Sequence, residues 1–76
     1  MLKEIVQNCF PSTHPLAFDQ LDGILVVKVA NSDLVYDQEL LLESIRGSWV
    51  VEASDRAATI DTGKTVIHLI ACGSRR

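Results

Sequence analysis

The stretch Ala57–Cys72, AATIDTGKTVIHLIAC, decides how the rest of the chain is read. Its middle, Ala58 to Thr65, matches the phosphate-binding loop in its loosest form, with Ala in place of the first Gly. That loop holds an anion with backbone N–H groups and a helix N-terminus, so it needs a strand before it and a helix after it. Here Val66, Ile67, His68, Leu69 and Ile70 follow, a β-branched run with strand character. Ile60-Asp61-Thr62-Gly63-Lys64 fits instead a three-residue hairpin loop, a type I turn followed by Gly63 in the left-handed region. Lys64 is then a solvated edge residue. Residues 64–72 form the last strand, and neither a nucleotide nor any other cofactor is expected.

Upstream of the hairpin, "SWVVEA" at 48–53 reads as the preceding strand. "SDRAAT" at 54–59 fits either its continuation or a short helical turn capped by Ser54. The best-marked helix lies before that strand. Asp37 is its N-cap, Glu39 suits the positive end of the dipole, and Leu40, Leu41, Leu42 and Ile45 supply its apolar residues. Arg46 suits the last turn and Gly47 the C′ position, so the helix should cover about 38–46. "ILVVKVA" at 24–30 is nearly all apolar and reads as a strand covered on both faces, or on one face plus an interface. Residues 11–23 contain both prolines and an Asp22-Gly23 turn signal; they read as a loop with one helical turn around Leu16–Leu21. At the start, Leu2, Ile5, Val6, Cys9 and Phe10 share one helical face, and Pro11 ends that helix.

These pieces predict one small α+β domain over residues 1–76. It would have a three-stranded, mostly antiparallel sheet with the 38–46 helix packed on one face. The short N-terminal amphipathic helix would cover the other end or a partner subunit. A C-terminal β-hairpin would join 48–60 to 64–72.

A chain of 76 residues with 47% hydrophobic content has more apolar surface than a small core uses, which points to self-association as a homodimer. Ten acidic against seven basic residues give a net charge of −3, a field that disfavours nucleic acid. A local patch of Lys28, Arg46, Arg56, Lys64, Arg75 and Arg76 is the alternative that would bind it weakly. The polar face of the first helix, Lys3, Glu4, Gln7 and Asn8, lacks the basic character of a membrane-surface helix. No secretory signal is visible, and the reading is a cytoplasmic protein.

Four soft ligands are present: Cys9, His14, His68 and Cys72. His68 and Cys72 lie four residues apart on a strand, about 13 Å, too far for one metal ion. No metal site is expected, and the two cysteines read as free thiols. Glu39 and Glu43 read as a solvated helix face, and no Ser or Cys nucleophile is paired with a base and an orienting acid. An enzyme is therefore not expected. The most distinctive surface candidates are Arg46, Trp49 and Arg56, residue types enriched at binding hot spots. They suggest a non-catalytic protein-interaction module, with Trp49 as the anchor if it is exposed and as core if it is not.

Overall fold

The structure, a computed structural model, describes residues 1–74. Its elements in chain order are α1 (Leu2–Asn8), β1 (Leu16–Leu21), β2 (Ile24–Val29), α2 (Gln38–Ser44), β3 (Trp49–Ala53), β4 (Ala57–Asp61) and β5 (Val66–Ala71). The sheet is five-stranded and mixed, in the order β1-β2-β5-β4-β3. β2 and β5 run parallel at its centre, and the other neighbours are antiparallel.

This corrects the expected three-stranded, mostly antiparallel sheet in two places. Residues 16–21, read as a loop with a helical turn, form β1 and make a hairpin with β2. The prolines lie outside the strand, at 11 and 15. Asp22-Gly23 closes the hairpin, with Gly23 at φ +76°. Residues 48–60, placed in one arm of the hairpin with 54–59 read as either strand continuation or a short helical turn, are divided at Ser54-Asp55-Arg56 into β3 and β4. Ser54 makes the turn: its N–H donates to the Ala57 carbonyl at 2.7 Å, and its hydroxyl oxygen accepts from the Ala57 N–H at 3.1 Å.

The expected C-terminal hairpin is present between β4 and β5. Its turn is tighter than the three-residue loop the sequence suggested. Thr62 N–H donates to the Thr65 carbonyl at 2.9 Å, leaving Gly63 and Lys64 as the central pair. Gly63 has φ +85° at the first central position, where a II′ turn requires Gly. The segment after the Gly-Lys-Thr sequence is a strand, so the phosphate-loop architecture is not formed.

Asp37 caps α2 as its sequence predicts, its side chain accepting from Leu40 N–H at 3.0 Å. The helix ends at Ser44, two residues short of 46, and Ile45 (φ −113°, ψ 85°) leaves helical geometry. Arg46 therefore stands beyond the helix rather than in its last turn.

The core lies on one face of the sheet. Leu25, Val27 and Val29 of β2, Ile67 and Leu69 of β5, and Ala58 and Ile60 of β4 meet Val6, Cys9 and Phe10 from the first helix segment and Leu41 from α2. Burying each large aliphatic side chain contributes about 1.5–3 kcal/mol. Phe10 stacks on Tyr36, centroids 5.3 Å apart, and Asp37 N–H donates to the Cys9 carbonyl at 2.8 Å, tying the two helices together. Both helices thus pack on the same face, correcting the expectation that α1 covers another end. Among the described residues, no helix lies on the opposite face of the sheet.

Candidate functional site

Because side chains alternate along a strand, the registers give the residues of the uncovered face in three rows. One row is Leu21, Ile24, Val66, Asp61 and Trp49, running across all five strands. The next is Asp19, Val26, His68, Thr59 and Glu52. The third is Ala17, Lys28, Ile70 and Ala57. A solvent-facing side of a sheet normally carries polar residues opposite a hydrophobic inner side. Here the two central strands present Ile24, Val26, Val66 and Ile70 outward.

Trp49 belongs to this surface. It is 52% exposed, and Leu21 at the other end of the same row is 58% exposed. Three carboxylates, Asp19, Asp61 and Glu52, stand around the apolar residues, against one ammonium, Lys28. His68 lies near the middle, its Nδ1 3.2 Å from the Thr59 hydroxyl oxygen.

The sequence-derived candidates are not brought together as a cluster. Arg46 is exposed in the turn after α2. Among the described residues, the cation held over an aromatic ring is Lys3, its Nζ 5.9 Å from the Phe18 centroid. Arg56 is partly buried and its guanidinium makes three hydrogen bonds: it donates to the carbonyl oxygens of Ser32, Ala71 (3.1 Å) and Gly73 (3.1 Å). It fastens the 31–33 loop to the end of β5. Gly73 is part of the same seam. Its N–H donates to the Asn31 carbonyl at 2.8 Å, and an added Cβ would lie 2.7 Å from both that oxygen and the Ser32 nitrogen.

The postulated basic patch is dispersed for the same reason. Arg56 points inward, and Lys28 and Lys64 stand toward opposite ends of the β2–β5 pair. Arg75 and Arg76 lie outside the described residues.

The soft ligands are also separated. Cys9 is buried, Cys72 is exposed, and both are free thiols. Burial, and secondarily the Asp37 carboxylate, push the Cys9 thiol above its ordinary range. Burial and then the neighbouring Cys9 raise the Tyr36 phenol likewise. His14 lines a depression of about 280 Å³ with Gln7, Phe10 and Ser12, where it meets no carboxylate. Among the described residues no three His, Cys, Asp or Glu side chains are grouped as metal ligands. No helix among them is long and apolar enough to cross a membrane.

The surface residues that the sequence reading missed are Leu21, Ile24, Val26, Val66 and Ile70. For Ile24 and Val26 the signal was the nearly all-apolar run 24–30, which called for cover on a second face; Leu21, Val66 and Ile70 lie outside that run. Comparison with known proteins returns no matching family model, no matching curated protein and no matching solved structure.

Proposed function

We propose that this chain is a non-catalytic protein-interaction module whose working surface is the uncovered face of its sheet. The observation that supports this most strongly is the Leu21–Ile24–Val66–Asp61–Trp49 row, apolar except at Asp61 and open at both ends. The occupant is a segment of another protein with an apolar stripe flanked by Lys or Arg. Charge supports that choice. The face carries Asp19, Glu52 and Asp61 against Lys28, so a basic flank is attracted, whereas a second copy stacked face to face brings carboxylates toward carboxylates. Trp49 is the anchor of the surface; Arg56, held by three carbonyls, belongs to the scaffold, and Arg46 stands off to the side.

The test uses a synthetic amphipathic peptide with Leu residues on one face and Lys flanks, paired with the same peptide carrying Glu flanks. Trp49 is the chain's sole tryptophan, so its emission reports cover directly. The basic peptide should shift Trp49 emission to shorter wavelength, with an affinity that falls as salt rises. Leu21→Ser should weaken the effect. Equal binding of the acidic peptide contradicts the proposal. So does an unchanged Trp49 emission at about 1 mM basic peptide, beyond which binding is weaker than roughly 4 kcal/mol.

A further inference from the structure

The sheet has two edges, and they are unlike each other. At β3 the pairing register shifts between Val50 and Glu52, a bulge that leaves Val51 59% exposed. Bulges and charges are ways of blunting an edge against further strands. β1 has no bulge. Its register with β2 runs without a shift from Leu16 to Leu21, and its one charge is Asp19.

The backbone direction along β1 follows from one hydrogen bond. Ala30 N–H donates to the Pro15 carbonyl at 2.9 Å, so residues 15 and 30 are a hydrogen-bonded pair. In an antiparallel ladder such pairs alternate. Residues 17, 19 and 21 therefore bond inward to β2. The N–H and C=O groups of Leu16, Phe18 and Gln20 point outward along the open edge.

We infer that β1 pairs antiparallel with β1 of a second copy about a two-fold axis at Phe18, joining the two sheets into one of ten strands. Two registers keep like faces together with near-maximal overlap. An axis at Asp19 places that carboxylate directly opposite its own copy, which is unfavourable. An axis at Phe18 places Asp19 opposite the partner's Ala17, and Phe18 opposite the partner's Phe18 on the core face. In that register each Asp19 also lies two strands, about 10 Å, from the partner's Lys28, a charge of opposite sign. The arrangement closes on itself, whereas pairing β1 with β3 would propagate without end. It leaves the uncovered faces free, so it stands or falls separately from the binding role proposed for them.

Ala17 and Asp19 are both exposed, so charge changes there test the register without disturbing the core. Wild type and variants are compared by light scattering across a dilution series. Ala17→Asp creates two like-charge pairs with Asp19 across the axis and should weaken the dimer by about two- to thirty-fold. Ala17→Lys should strengthen it by a similar factor. Ala17→Asp combined with Asp19→Lys should restore it. In parallel, amide exchange should show protection of Phe18 and Gln20 N–H groups that grows with protein concentration. A monomer at every concentration overturns the inference. So does a dimer indifferent to these charges, or one in which the Phe18 and Gln20 amides remain unprotected.

Discussion

Arg56 is the residue whose role changes most between sequence and structure, and its replacement makes the sharpest prediction. Its guanidinium binds three backbone carbonyls, on Ser32, Ala71 and Gly73. Those bonds join the 31–33 loop to the end of β5, beside the Gly73–Asn31 contact. Hydrogen bonds that involve a charged group contribute about 1.5–3 kcal/mol each, and neutral ones about 0.5–1.5. The site is only partly buried, so water can reach the freed carbonyls and each bond counts as a neutral one, about 1 kcal/mol, or about 3 kcal/mol in all for Arg56→Ala. A chain of this length has a total stability on the order of 4–11 kcal/mol. The melting temperature should therefore fall by roughly 10–25 °C, at about 4–8 °C per kcal/mol for a domain this small. Arg56→Lys should fall between, because a single ammonium cannot reproduce the planar fork. Thermal unfolding followed by circular dichroism measures all three proteins. A melting temperature for Arg56→Ala within about 2 °C of wild type would refute the scaffold role and return Arg56 to the list of surface anchors.

Gly73→Ala should also destabilise strongly, because its methyl would meet the backbone of Asn31 and Ser32 rather than a side chain that can move; a melting curve unchanged from wild type contradicts the seam. Asp37→Ala removes the α2 N-cap and should lower stability by about 1 kcal/mol in urea titration. Both Cys9 and Tyr36 are raised in the folded state, so the unfolded chain ionises first. Stability from these groups is intact below about pH 8.5 and declines as pH rises beyond it. Cys9→Ala should flatten the part of that decline due to the thiol, measured as urea stability between about pH 8 and 10. In the native protein a thiol reagent should label Cys72 quickly and Cys9 only on unfolding; equal rates would contradict the burial of Cys9.

The parts of the fold that were legible in the sequence are those with local causes. Asp37 followed by Leu40, Leu41 and Leu42 carries its own cap and apolar residues. Gly63 followed by a β-branched run carries its own turn. β1 was hidden because Pro11, Pro15 and Asp22-Gly23 make 11–23 look like loop throughout. Its alternation, with Leu16 and Phe18 inward, spans too few residues to outweigh them. The parallel pairing of β2 with β5 is long-range and leaves no local mark. The division at Ser54 depends on that hydroxyl folding back on Ala57, a geometry that equally fits the helical turn read from the same residues. At the surface, Trp49 was singled out with its exposure left open, and it is 52% exposed. Its neighbours in the row come from four other strands, so no stretch of sequence contains them together. Arg56 illustrates the converse: residue type suggested recognition, and only the positions of three carbonyls reveal a clamp.

The central claim is that one face of the sheet is filled by both helices while the other remains available. The most direct test is relaxation of methyl groups by a soluble paramagnetic agent, recorded by NMR. The account predicts strong broadening of Ile24, Val66 and Ile70 methyls, and of the Trp49 indole, with Val27, Ile67 and Leu69 unaffected. Equal protection of both sets would contradict it, because the second face would then already be covered in the isolated protein.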